Sequence, residues 1–284
     1  MTTARMLVFE SRIALVERVE CRGSRYLGAE DYSAEFQIAF PYRGTFVWHV
    51  ERDAVLGDPN QVLFIRGGEA YRIAPHPSDG FAEVIITPAQ SCLRQIAETL
   101  GFDLETHPLF GTRSRRVTPG LQCRCASFVQ QAAGAPGGEF RADEELLALL
   151  HEALAMPPPR RVASPNTRRL IRRAKEYLDA HFTERVQLLD VADAVGASPA
   201  YLTDVFRRFE GIALHRYLTQ LRLARSLIEL PHAPDLTVLA LDLEFSSHSH
   251  FTFAFRRAFG CTPSEYRRRN GRGPESSELT RISA

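Results

Sequence analysis

Arginine dominates the residues able to do chemistry in this 284-residue chain, and one arginine pair recurs in nearly the same spelling. Phe206-Arg207-Arg208-Phe209-Glu210-Gly211 returns as Phe255-Arg256-Arg257-Ala258-Phe259-Gly260, displaced by 49 positions. A guanidinium is a permanently charged planar fork that fits phosphate oxygens and donates twice to the edge of guanine. Arg207 and Arg256 are therefore candidates for phosphate or base contact. Arg208 and Arg257 fit equally well a solvated helix face or an ion pair within the chain. Other reactive groups are scattered. His49, His76, His107 and His151 stand apart, without the paired histidines and nearby carboxylate that a metal-dependent oxygenase or isomerase needs. His248 and His250 flank Ser249, a spacing open to a metal pair or to an ordinary helix face. Cys123 and Cys125, two residues apart on a helix, point in different directions and chelate poorly without a partner chain. A redox or soft-metal sensor at these thiols is the reading they leave open. No catalytic set, metal site or cofactor is expected, and the chain does not read as an enzyme.

These groups sit in a chain whose charge is divided. Residues 160–284 carry 20 Lys+Arg against 14 Asp+Glu, and the remainder carries 15 against 20, so a basic part at +6 follows an acidic part at −5. Only one part is therefore suited to a polyanion. The length favours two domains. The five scattered cysteines, Cys21, Cys92, Cys123, Cys125 and Cys261, suit free thiols in a reducing compartment. No apolar run is long enough to span a bilayer, and Met1 to Glu10 lacks a signal peptide's apolar core, which together point to the cytoplasm and no membrane partner.

The elements that would position the arginines follow from periodicity. Short apolar or alternating runs cover Arg12–Val19, Glu35–Phe40, Thr45–Val50, Gln61–Arg66, Ala70–Ala74 and Phe81–Ile86, with turn residues such as Gly57-Asp-Pro-Asn60 and Pro75–Gly80 between them. Strands at this spacing predict a small sandwich or barrel. Phe40, Tyr42, Phe46, Trp48, Phe64 and Tyr71 are candidates to line a pocket there, although their alternation favours a core. After Pro88, Leu93, Ile96, Ala97 and Leu100 share a helical face that Gly101 ends. Helices follow over Pro119–Ala133 and Ala142–Ala155, separated by Gly134-Ala-Pro-Gly-Gly138. The stripe Leu146, Leu149, Leu150 and Leu154 is wide enough to pack within the chain or on a second subunit, and its position favours a dimer element. Met156 to Pro165 is proline-rich and reads as a linker. The rest is helical to about Asn270, and the polar, Gly-containing end beyond it is expected to be disordered.

Within the helical part the repeat is longer than the arginine spelling. Val191-Ala-Asp-Ala-Val-Gly-Ala-Ser-Pro-Ala-Tyr-Leu-Thr-Asp-Val-Phe answers to Leu239-Ala-Leu-Asp-Leu-Glu-Phe-Ser-Ser-His-Ser-His-Phe-Thr-Phe-Ala-Phe. Each copy reads as a short helix with a small alanine on its buried side, a tight turn, and a second helix capped by serine. In the first copy Gly196 supplies the turn, Ser198 the cap and Pro199 the first helical position. Leu202, Val205, Phe206 and Phe209 share one face. Ala200, Thr203, Asp204 and Arg207 face outward, the side that would enter a major groove. A helix over about 213–230 is predicted to hold the two copies as a rigid spacer, with recognition faces about 34 Å apart.

Ser246-Ser-His-Ser-His-Phe-Thr-Phe-Ala-Phe-Arg-Arg-Ala-Phe-Gly-Cys-Thr-Pro-Ser-Glu-Tyr-Arg267 resembles the signature of the AraC/XylS family, and the resemblance extends over Thr167–Arg269. It implies seven helices that bind double-stranded DNA as a transcription regulator, commonly an activator contacting RNA polymerase. Position by position, it implies base-facing roles for Ala200, Thr203, Asp204 and Arg207 and for His248, Ser249, Thr252, Phe253 and Arg256. It also implies a cupin-like sensor and dimerisation region in the β-rich half, with a possible small-molecule effector and a homodimer. The expected fold is α+β and multidomain: residues 1–155 cupin-like, helical from about 88; 156–166 linker; 167–270 all-α with two helix-turn-helix motifs; 271–284 tail. A regulator controlled by its abundance or a protein partner, and a cupin-type metalloenzyme, are the alternatives. Three residues depart from the family pattern: Glu244 stands where the second unit usually has glycine, Asp204 where a polar or basic residue is common, and Phe253 where a basic one is frequent. Asp204 repels phosphate yet can accept from the amino group of cytosine.

Overall fold

The computed structural model describes residues 2–22, 28, 30–51, 53–75, 80–103, 113–132, 139–156 and 163–271. His76, His107, the Gly134–Gly138 loop, most of the proline linker and residues 272–284 lie outside them.

The amino-terminal part is antiparallel β. Its strands are β1 (Thr2–Glu10), β2 (Ala14–Arg22), β3 (Asp31–Tyr32), β4 (Gln37–Arg43), β5 (Phe46–Val50), β6 (Asp53–Gly57), β7 (Gln61–Ile65), β8 (Ala70–Pro75), β9 (Phe81–Pro88) and β10 (Ser114–Arg116). They form a six-stranded sheet, ordered β1-β2-β9-β4-β7-β10, and a four-stranded sheet, ordered β3-β8-β5-β6. Side chains alternate across each strand, so the larger sheet buries two faces. Val19, Cys21, Ala39, Leu63, Phe81 and Ile85 meet Phe46, Trp48 and Tyr71 between the sheets. Val16, Ile38, Phe40, Val62, Phe64, Val84 and Ile86 face the helices. This double burial explains the continuous apolar runs Val62–Ile65 in β7 and Val84–Ile86 in β9. β1 was not anticipated: it is an edge strand with Met6 and Leu7 exposed and a register shift between Leu7 and Phe9, so no alternation marks it.

Among the described residues, three helices cover the second face: α1 (Gln90–Leu100), α2 (Pro119–Ala132) and α3 (Glu139–Leu154). Gly101 ends α1 at φ 71°, its N–H reaching the carbonyls of Ala97 and Glu98. The leucine stripe of α3 belongs to this layer. Leu146, Leu149, Leu150 and Leu154 are all buried in the same core as the sheet, so the stripe closes the sheet of its own chain and is not open to a second subunit. The sheet face had to be covered, and a sequence shows the stripe without showing its cover. Phe140 and Leu147, at the flank of the stripe, remain exposed.

The carboxy-terminal part is all helical: α4 (Pro165–Ala180), α5 (Leu188–Val195), α6 (Pro199–Glu210), α7 (Leu214–Glu229), α8 (Leu236–Asp242), α9 (His248–Phe259) and α10 (Pro263–Asn270). Its two cores share α7. Leu214, Tyr217, Leu218 and Leu221 pack with α4, α5 and α6, while Leu223 and Leu227 pack with α8, α9 and α10. One continuous helix thus fixes two small bundles against each other.

Candidate nucleic-acid interface

Each bundle carries a helix-turn-helix pair whose turn can be followed bond by bond. In the first, the N–H of Gly196 bonds to Asp193 at 3.1 Å and that of Ala197 to Ala192 at 3.0 Å. In the second, the N–H of Glu244 bonds to Leu241 at 2.8 Å and that of Phe245 to Ala240 at 2.9 Å. The two turns are the same helix-ending motif, which requires a left-handed residue. Gly196 takes φ 69°, and Glu244 takes φ 58° where glycine would be unstrained. The departure at Glu244 therefore leaves the turn geometry intact and stores strain in it. Glu244→Gly is expected to raise unfolding free energy by about 1 kcal/mol, read as a higher midpoint in urea at unchanged slope. An unchanged or lower midpoint would show that the turn is not strained.

The second helices begin alike. Ser198 accepts from the N–H of Tyr201 at 3.3 Å with Pro199 at the first helical position, and Ser247 accepts from that of His250 at 3.1 Å. Leu202, Val205 and Phe206 of α6 are buried, as are Phe251 and Phe255 of α9. The second bundle is locked by rings: Phe255 lies 5.7 Å from Phe251, 4.6 Å from Phe259 and 5.7 Å from Tyr266. The outward face carries the residues singled out from sequence. Ala200, Asp204, Arg207, Ser249, Phe253 and Arg256 are exposed, whereas Thr203, His248 and Thr252 are half-buried. The hydroxyl of Thr203 donates to the carbonyl of Pro199 at 2.7 Å, and that of Thr252 has no hydrogen-bond partner among the described residues. Asp204 accepts from Arg208 at 2.6 Å, so its charge is partly offset and Arg208 is an intramolecular pair.

The arginines divide by what they touch. Arg173 donates to the carbonyls of Ala194 and Val195 at 2.5 and 3.4 Å, closing the end of α5. Arg222 of α7 donates to those of Phe182, Glu184 and Glu244 at 2.8, 2.8 and 3.1 Å, tying the end of α4 to the second turn. Arg267 donates to Ala233 at 3.0 Å. These are positioning residues, and sequence reasoning missed them because an arginine that binds carbonyls has no charged partner to suggest the contact. Arg207, Arg256 and Arg257 are exposed at the ends of α6 and α9, with no ion pair among the described residues. The matching positions of Arg207 and Arg256 in two bundles held by one helix form a surface suited to the phosphates and base edges of a duplex.

A helix-turn-helix domain family model matches residues 191–269. Regulatory protein PocR of Salmonella typhimurium is 32% identical over 98 residues, 34% of this chain and 32% of PocR. Regulatory protein SoxS of the same organism is 35% identical over 95 residues, 33% of this chain and 89% of SoxS. The chain belongs to the AraC/XylS family of DNA-binding transcription regulators. A solved AraC-type regulator from Chromobacterium violaceum shares 26% identity over 39% of this chain and 100% of its own, with a TM-score of 0.36. The chain spans about a third of the length of PocR, and the family's likeness is carried by the helical part.

Two other sequence candidates resolve differently. Of the aromatic residues weighed as pocket lining, Phe46, Trp48, Phe64 and Tyr71 are core, whereas Phe40 and Tyr42 line a cleft partly open to solvent. This cleft lies where the two parts meet, with Val84 of the sheet, Cys125 and Val129 of α2, and Leu227 and Ile228 of α7 in its walls. Burial pushes the Cys123 thiol up to about 11 and Cys125 up to about 12, which withholds the thiolate that redox or metal chemistry needs. No helix among the described residues is long and apolar enough to cross a membrane.

Proposed function

We propose that this chain is a cytoplasmic, effector-responsive transcription activator, with residues 1–155 as sensor and 167–270 as the DNA-binding domain. It binds double-stranded DNA through Ala200, Thr203, Asp204 and Arg207 of α6 and His248, Ser249, Thr252, Phe253 and Arg256 of α9. The observation that carries this is the pair of exposed arginines at equivalent ends of two helices fixed by α7. Bound to its operator as a homodimer, with Phe140 and Leu147 of α3 exposed for contact, it would present RNA polymerase with a fixed surface. The signal enters the cleft at the junction, because a small molecule there touches both parts at once. Apolar walls with a few polar groups, Arg18, Tyr42 and Gln61 among them, suit a mainly apolar metabolite bearing one polar end.

The test is a thermal-shift screen of metabolites on the full chain, repeated on a Val84→Trp variant that fills the cleft. A ligand at about 100 times its dissociation constant is expected to stabilise the parent by about 2.7 kcal/mol and to leave the variant unmoved. Equal shifts in both proteins would place the effector elsewhere. No shift from any metabolite would favour a regulator controlled by abundance or a protein partner.

A further inference from the structure

Lys175 is the only lysine in the chain, and it is buried at the junction. From α4 its ammonium reaches Glu210, the last residue of α6, at 2.9 Å and Asp58, in the turn between β6 and β7, at 3.6 Å. The ring of Tyr217 on α7 lies 5.2 Å away. With its amide turned as the surrounding donors and acceptors require, Gln61 of β7 accepts from Lys175 at 2.9 Å and donates to the carbonyl of Arg115 at 3.2 Å. Gln61 also lines the cleft. Around this cluster, Arg116 donates to the carbonyl of Glu210 at 3.4 Å and to Gln220 at 2.7 Å, and Asn60 donates to the carbonyl of Tyr217 at 3.3 Å. A buried ammonium is tolerated only while its acceptors stay in place, so the contacts to Asp58 and Gln61 are made when the halves are together and lost when they part, leaving Lys175 with Glu210 alone.

The sensor half grips the second bundle as well. Gln131 of α2 donates to Asn270 at 3.2 Å, and Cys123 and Ala126 pack on the core formed by α8, α9 and α10. Both recognition helices are thereby held to the sensor half. Resting on the function proposed above, we propose that Lys175 is a latch by which the sensor half restrains the first recognition helix. A ligand in the cleft that takes up the amide of Gln61 releases it.

Because Lys175 is the sole lysine, a succinimidyl ester reports on the latch at one side chain, with the α-amino group as internal reference. Asp58→Asn keeps the acceptor for the N–H of Asn60, now at 2.8 Å, and removes the charge facing Lys175. In this variant Lys175 is expected to acylate about tenfold faster than in the parent, and an operator selected from a random duplex pool to be bound about threefold tighter, as expected when a restrained state gives way to a competent one. Asp53→Asn is the control: it loosens the exposed contact to Arg168 at 3.7 Å across the same boundary, and one to Arg113 at 3.7 Å within the sensor half, without touching Lys175, and should change neither readout. Labelling rates within about twofold of each other, or tighter binding absent despite faster labelling, overturn the latch. If neither protein selects a specific duplex, the DNA-binding reading fails, while the labelling rates still decide whether Lys175 is held shut.

Discussion

Replacing Arg207 and Arg256 together by alanine is expected to weaken binding to a selected operator by about 100-fold or more at moderate salt, on the basis of about 1–3 kcal/mol for each good arginine contact. The folded state should hardly notice. Both guanidinium groups are exposed at helix ends and make no ion pair among the described residues, so only a small helix-dipole contribution is lost. Circular dichroism should therefore show a melting temperature within about 3 °C of the parent. Arg208→Ala makes the contrast, because Arg208 is engaged with Asp204 at 2.6 Å and its removal leaves an unscreened carboxylate at the surface. Its loss of affinity should be modest and should fade as salt is raised. A double variant that binds like the parent would mean that α6 and α9 do not approach the duplex by these faces.

The second large effect lies between the two sheets. Glu83 of β9 is buried among apolar side chains with Oε2 lacking a hydrogen-bond partner among the described residues, and burial raises its carboxyl to about 8 although the positive charge of Arg5 pulls the other way. At the junction, burial and the nearby charge of Asp58 raise Asp179 to about 7. For a carboxyl whose folded pKa is raised, the folded state holds its proton longer than the unfolded chain does. That stabilisation is complete below the unfolded value near 4.5 and is lost as pH rises through about 8 for Glu83, and from near 3.8 through about 7 for Asp179. The melting temperature of the parent should accordingly fall between pH 5 and pH 8.5. Glu83→Gln should flatten most of that fall and be more stable than the parent at pH 8.5 by on the order of 3 kcal/mol. A parent whose stability is flat or rises across this range would show that Glu83 is ionised and satisfied in the folded chain.

How much of this was legible in the sequence depended on whether a residue's partner is near in the chain or far away. The helix-turn-helix units were legible because capping and turn residues act within a few positions: Gly196, Ser198, Pro199, Ser247 and the buried phenylalanines each declare their role locally. The departure at Glu244 was also visible, and only its outcome, a left-handed glutamate in an otherwise ordinary turn, needed coordinates. Most strands announced themselves by alternation. β1 did not, because an edge strand with exposed Met6 and Leu7 has no apolar face to repeat. The stripe on α3 was seen, but its occupant depends on a sheet face assembled from distant strands. Lys175 stands out in the sequence only as a lone lysine, since Glu210 becomes its partner only when α4 and α6 pack and Asp58 only when the halves dock. Arg173, Arg222 and Arg267 were hidden for the same reason, as carbonyl oxygens leave no mark on a sequence.

The account rests on two recognition helices reading one side of a duplex together. The most direct test is methylation interference on a selected operator bound by the full chain, mapping which guanine N7 atoms of the major groove must be free. Two interference patches are predicted on the same face, about one helical turn or 34 Å apart, with Arg207→Ala weakening one and Arg256→Ala the other. A single patch, or interference that neither substitution changes, would contradict it.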